Sequence, residues 1–272
     1  MNRLIALLFI FAPLVLWPSS TWSVTQKPLP IIVVTPNIWS GASVKDIQKV
    51  LQSTVRQIWP YATQSNLSPI QVDRSRTGPI VLYQRGEKGQ YLIRLDTEKK
   101  FWCQYAFQFA HEFGHIICEY KEGDRSNLWF EETLCETASL FTLRKMSEEW
   151  KINPPYPNWK SYGDEFAKYA QNRIDKHPWS ESQTLAQWYA QKKHNLNEEP
   201  TDRPRNVRLA SQLLHYFEKD PTLWGACAFI NQEKTEEKRS FRSYLHDWKK
   251  SCPKSQQKEL VQKLITLFAL GQ

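Results

Sequence analysis

Two histidines lie four residues apart in the stretch Phe109–His115, and a glutamate directly follows the first of them. On an α-helix a separation of four residues is about one turn, so His111 and His115 would share a face. Two imidazoles on one face can bind a single Zn²⁺, and Glu112 would then lie beside the open position of the metal. The pattern therefore predicts a catalytic zinc site in which Glu112 is the general base.

A helix over about residues 100–120 is predicted to carry both histidines. Its apolar residues recur at helical spacing on one side; they are Trp102, Tyr105, Ala106, Phe109, Phe113, Ile116 and Ile117. His111 and His115 fall on the other side, in a polar stripe with Gln104 and Gln108. This placement favours a role as metal ligands over a role as scattered core histidines.

A third ligand is expected from a second helix, predicted over about residues 128–149 and reached by a short polar loop. A catalytic zinc site uses three protein ligands and leaves one position open. Glu132 and Glu136 are four residues apart on this helix and so share a face. One can bind the metal, and the other can accept a hydrogen bond from an imidazole N–H and fix its orientation.

The sequence His-Glu-x-x-His followed by a helix containing Trp-Phe-Glu-Glu-x-x-x-Glu resembles the gluzincins, zinc metallopeptidases whose third ligand is a glutamate. The resemblance covers about residues 80–145. It implies the ligands His111, His115 and Glu132, with Glu112 as general base and Glu136 supporting a ligand histidine. It also implies that the strand at residues 90–96 is the edge strand that pairs with an extended substrate.

The chain departs from the gluzincin pattern at one position, because Glu131 stands where the group usually has asparagine. Glu131 is therefore a rival for the third ligand. Gluzincins also tend to use a tyrosine or histidine from their C-terminal half to stabilise the oxyanion. Tyr189, His215 and Tyr216 are the candidates for that role, and no local motif selects one of them.

The first 23 residues are interpreted as a secretory signal peptide. Arg3 precedes an apolar run of about 14 residues, which is shorter than the about 20 residues of a spanning helix. Small residues near Ser23 favour cleavage there, and no cysteine nearby supports a lipid anchor. We therefore expect an exported protein, periplasmic or secreted.

The chain is basic, with a formal net charge of +8, and it has five cysteines. Most of the positive charge is expected on solvated helix faces; peripheral contact with an anionic membrane or cell wall is possible, and nucleic acid is not an expected partner. Export permits disulfide bonds, and Cys118–Cys135 and Cys227–Cys252 are candidate pairs. If both pairs form, Cys103 is the odd thiol; buried free thiols are the alternative.

The periodicity predicts an α+β, zincin-like fold with a small mixed β-sheet, the active-site helices and an all-helical C-terminal part. A strand at 30–35, a helix at 44–59, a strand at 68–73 and a hairpin of strands 79–83 and 90–96 precede the ligand helices. Five further helices are predicted near residues 162–176, 182–195, 203–219, 238–250 and 255–270. The expected division is 1–23 signal peptide, 24–152 catalytic part and 153–272 helical part.

Two functions of different classes are compatible with these residues. The first is a zinc-dependent peptidase that hydrolyses peptide or amide bonds of a peptide or protein substrate. The second is a non-catalytic exported binding or scaffold protein that keeps the zincin fold. The presence of Glu112 favours the first, since a protein without turnover needs no general base. Because no pro-segment is evident, we expect a restricted specificity or a closed groove.

Overall fold

A computed structural model of the 272-residue chain describes residues 27–119, 121–122, 125–232 and 238–271. The predicted signal peptide lies outside the described residues. In the part of the chain that is described, no helix is both long enough and apolar enough to cross a membrane.

Four short strands form one mixed sheet with the order β1-β2-β4-β3. They are β1 (Ile32–Val34), β2 (Ile70–Arg74), β3 (Ile80–Val81) and β4 (Tyr91–Leu95). β2 pairs in parallel with both β1 and β4, and β3 pairs antiparallel with β4. The small mixed sheet is thus confirmed. The expectation that residues 90–96 form the edge strand is wrong, because β4 is paired on both sides and β3 occupies the edge.

Eight α-helices of the described residues account for most of the rest of the fold. They are α1 (Val44–Ile58), α2 (Trp102–Ile117), α3 (Leu128–Ile152), α4 (Gly163–Asp175), α5 (Leu185–Lys192), α6 (Arg203–Lys219), α7 (Phe241–Ser251) and α8 (Ser255–Leu267). The predicted helices are confirmed with small shifts of their ends. α5 is shorter than the predicted 182–195, because Thr184 and Gln187 form a capping box that begins it.

The long helix α3 lies at the centre of the fold and packs against α1, α2, α4 and α6. Buried residues of the sheet, the ligand helices and the C-terminal helices belong to one hydrophobic cluster. Gly114 lets α2 approach α3 closely, since a Cβ there would lie 3.1 Å from Cys135 Sγ. This close approach brings the polar residues of the two helices together.

All five cysteines are buried free thiols, so the structure contains neither of the candidate disulfide bonds. Cys118 lies beside both Cys135 and Cys227, and hydrogen bonds from these two thiols lower its pKa to about 6. The sulfur atoms of Cys118, Cys135 and Cys227 therefore form one buried cluster rather than belonging to two separate pairs as expected from the sequence.

Candidate metal centre

Helices α2 and α3 bring His111, His115 and Glu132 together, and their ligand atoms all lie within 4.8 Å of one another. His111 Nε2 is 3.0 Å from Glu132 Oε2, and His115 Nε2 is 3.6 Å from Glu132 Oε1. The Nε2 atoms of both imidazoles therefore face the same carboxylate. Two neutral imidazole nitrogens and one carboxylate oxygen are a donor set that fits Zn²⁺ with a position left open.

The second nitrogen of each imidazole also faces a carboxylate. His115 Nδ1 is 2.6 Å from Glu131 Oε1, and His111 Nδ1 is 3.5 Å from Glu136 Oε2. Such outer carboxylates fix the tautomer and the direction of a ligand imidazole. The structure thus places Glu131, the rival ligand, on the side of His115 that faces away from Glu132.

Two further side chains bind these outer carboxylates. Asn231 donates from Nδ2 to Glu131 Oε2 at 2.8 Å, and Arg173 Nη2 lies 3.4 Å from Glu136 Oε1. Neither residue was a candidate from the sequence, because both come from the C-terminal part and no local pattern marks them. Their contacts tie the ligand helices to that part of the chain.

The buried imidazoles and carboxylates shift one another's pKa values. Burial alone would lower the pKa of His115, but the hydrogen bond with Glu131 and the charges of Glu132 and Glu131 raise it to about 9. The pKa of His111 is likewise raised well above its ordinary value by Glu132 and Glu136, against burial. Burial would raise the pKa of Glu132, yet the hydrogen bond with His111 and the nearby cations lower it to about 2. The carboxylates thus favour positive charge at this site, which either protons on the imidazoles or a bound cation can supply.

Glu112 is almost fully buried beside the ligand histidines. Burial raises the pKa of its carboxyl group, while the charges of His111 and His115 and the backbone of Val81 on β3 lower it in part. A carboxylate whose pKa is raised binds a proton more readily and is better suited to accept and return one. Its position therefore fits a general base.

A cavity of about 240 Å³ opens above the ligands, and β3 forms one wall of it. His111, Glu112, His115 and Glu132 all line this cavity. The sequence predictions for these four residues therefore converge on one space, which is large enough to admit part of a substrate.

The three candidates for the oxyanion role do not line this cavity. Tyr189 packs in an aromatic cluster with Phe241 and Phe268. The rings of His215 and Tyr216 contact each other, with centroids 3.7 Å apart and planes tilted by 42°. The C-terminal part instead contributes other polar residues to the cavity, namely Tyr169, Arg173, Arg203 and Asn206.

The cavity thus contains three potential metal ligands, two of which are imidazoles oriented by outer carboxylates. The buried carboxylate of Glu112 lies in the same cavity. Such a set can bind a divalent cation and can move a proton next to it. No protein-family model, curated protein or solved structure matches the chain.

Proposed function

We propose that this chain is an exported zinc metallopeptidase of zincin-like fold, which hydrolyses peptide or amide bonds with Glu112 as general base. The observation that carries the proposal is the convergence of one ligand atom each from His111, His115 and Glu132 within 4.8 Å of one another, with Glu112 in the same cavity. The gluzincin-like spacing of the same residues in the sequence supports it.

His111, His115 and Glu132 would hold the metal, and Glu131 and Glu136 would keep the two imidazoles in the ligating tautomer. Zn²⁺ bound there supplies a Lewis acid that lowers the pKa of water and polarises a carbonyl oxygen. The Glu112 carboxylate takes a proton from the attacking water and then donates it to the nitrogen of the leaving amine.

The edge strand β3 supports a peptide as the substrate. β3 pairs with β4 on one side only, and its residues Ile80 and Val81 both line the cavity. An extended peptide can add to an exposed strand through main-chain hydrogen bonds. A peptide bound along β3 would pass Glu112 and the ligands.

The test compares the parent protein with Glu112→Gln, which removes the base and leaves the ligands. Zinc content is measured by elemental analysis, and hydrolysis is measured on a peptide library by mass spectrometry. We expect both proteins to bind one zinc per chain and Glu112→Gln to lose hydrolysis by about 10²-fold or more. The exposed Glu87, in the turn before β4, provides the matched control Glu87→Gln, which should behave as the parent.

Undiminished hydrolysis by Glu112→Gln would remove Glu112 from the mechanism. If the parent protein binds one zinc per chain but hydrolyses no peptide, the result would instead favour the second function, an exported binding or scaffold protein.

A further inference from the structure

Arginines are the main cationic side chains of the cavity above the metal centre. Arg125, Arg173 and Arg203 all line it. Arg173 is paired with Glu136 at 3.4 Å. Among the described residues, no carboxylate lies within 4.0 Å of the Arg203 guanidinium. The positive charge of Arg203 nevertheless lies close enough to Glu132 to lower the pKa of that carboxyl group.

The charges around the cavity are unbalanced once a metal is bound. Three carboxylates line it, those of Glu112, Glu132 and Glu136, and the three arginines offset them. A bound divalent cation therefore adds two positive charges that no further carboxylate among the lining residues neutralises. A cavity with excess positive charge attracts and orients an anionic ligand.

Asn206 provides an independent indication of a ligand. It is only 2% exposed, and its Nδ2 donates to the carbonyl oxygen of Pro200 at 3.0 Å. Its Oδ1 is buried and has no hydrogen-bond partner among the residues that the structure describes, although the residue lines the cavity. Buried polar atoms are rarely left without a partner, so a donor from a bound molecule is expected there.

Arg203 and Asn206 belong to the same recognition surface. They are three residues apart at the start of α6 and therefore lie on one side of that helix. Arginine binds a carboxylate with two parallel hydrogen bonds, and an asparagine oxygen accepts one from an amide N–H. A peptide with a carboxylate close to an amide group presents both features.

We infer that the substrate is a peptide carrying a carboxylate next to the bond that is cut, with Arg203 binding the carboxylate and Asn206 Oδ1 accepting from a substrate N–H. The carboxylate is either the C-terminus of the peptide or an acidic side chain, since the same guanidinium recognises both. The inference rests on the proposed peptidase function and adds the class of substrate to it.

The test measures binding rather than turnover, with the zinc-loaded full chain carrying Glu112→Gln. Three N-acetylated peptides without other acidic residues are titrated calorimetrically: one with a free C-terminus, the same sequence with a C-terminal amide, and an amidated peptide in which only the last residue is changed to aspartate. We expect at least one carboxylate peptide to bind about 10-fold or more tightly than the neutral amide, as for hydrogen bonds to charged groups. The tighter of the two identifies the source of the carboxylate.

Arg203→Gln, added to the same protein, should reduce this preference to less than about twofold, because glutamine cannot form the charged pair. Arg203 is exposed, so this change should not disturb folding, which circular dichroism checks. Arg242→Gln, an exposed arginine on α7, is the matched control and should keep the preference.

Equal binding of the charged and neutral peptides, or no binding of any, would overturn the inference even if the protein hydrolyses peptides. A carboxylate preference that survives Arg203→Gln would overturn it as well. Conversely, the parent protein could fail to hydrolyse any peptide while the binding preference for carboxylate peptides still depends on Arg203. That result would support the anion site and contradict the peptidase function.

Discussion

Glu131 Oε1 lies 2.6 Å from His115 Nδ1, on the opposite side of the imidazole from Glu132. The two glutamates are adjacent in α3, yet they reach different nitrogens of the same ring. Glu132 faces the Nε2 atoms of both histidines, whereas Glu131 contacts Nδ1 of His115 and accepts a hydrogen bond from Asn231. This division of roles makes the two carboxylates separable by experiment.

The first prediction compares Glu132→Gln with Glu131→Gln. Loss of a ligand carboxylate should weaken zinc binding by well over about 100-fold, whereas loss of an orienting carboxylate should weaken it by about 10–100-fold. The dissociation constants are measured by competition with a chelator. Glu148→Gln, an exposed glutamate on the same helix, is the control and should bind zinc as the parent does.

The opposite result, in which Glu131→Gln binds zinc more weakly than Glu132→Gln, would show that Glu131 is the ligand. The side chains would then have to rearrange when the metal binds.

A second prediction concerns the pH dependence of folding after the metal has been removed by a chelator. The pKa of His115 is raised from an ordinary 6.5 to about 9, so the protonated imidazole stabilises the folded state. This contribution is complete below pH 6.5 and is lost as the pH rises to about 9. The free energy of unfolding of the metal-free protein, measured with urea, should therefore fall across this range.

Glu131→Gln should flatten that dependence, because it removes the hydrogen bond that raises the pKa of His115. Zinc affinity should change in the other direction and increase with pH, since the metal displaces protons from the imidazoles. A stability that is unchanged between pH 6.5 and 9 in both proteins would contradict the assigned protonation of His115.

A third prediction tests the contact between α4 and the metal centre. Arg173 lies beside Glu136, which in turn faces His111 Nδ1. Arg173→Met keeps the apolar stem and removes the charge, so the Glu136 carboxylate loses a partner and holds the imidazole less firmly. We expect a several-fold loss of zinc affinity, smaller than that of Glu131→Gln.

Lys168→Met is the matched control for Arg173→Met. Lys168 is on the same helix and pairs with Glu165 at the surface, so zinc affinity should not change. Equal zinc affinity of the parent, Arg173→Met and the control would mean that Glu136 does not depend on Arg173 for its position.

Local sequence patterns predicted the ligand helices well, because helix formation there depends on residues that are close in sequence. The observed α2 and α3 lie within a few residues of the predicted ranges. The sequence also predicted that the two helices lie together, because the histidines of one and a glutamate of the other could complete a metal site. Whether Glu131 or Glu132 faces the Nε2 atoms depended on how the two helices rotate against each other, which spacing alone does not determine.

Contacts with distant elements were not predictable in the same way. Arg203 and Asn206 reach the cavity because α6 packs against α3, and no pattern within α6 indicates which of its faces turns towards the ligands. For the same reason the sequence could not show that the oxyanion candidates lie away from the cavity lining, where Tyr189, for example, packs with Phe241. The edge strand was also assigned wrongly, because β3 precedes β4 in the chain but lies outside it in the sheet.

The last prediction concerns Gly114, which lies between the two ligand histidines on the side of α2 that touches α3. A Cβ at this position would lie 3.1 Å from Cys135 Sγ and 3.2 Å from Cys135 Cα, and the backbone atom cannot rotate away. Gly114→Ala should therefore push the two helices apart and cost about 1–3 kcal/mol of stability. The higher helix propensity of alanine, up to about 1 kcal/mol, offsets only part of that cost.

Because Cys135 is three residues from Glu132, the same shift should move the carboxylate relative to both imidazoles and weaken zinc binding. Urea denaturation and chelator competition measure the two effects. Gly271→Ala, where nothing lies within 4 Å of the added Cβ, should change neither. A stable Gly114→Ala with unaltered zinc affinity would show that α2 and α3 have room to separate, and that the ligand distances do not depend on their close approach.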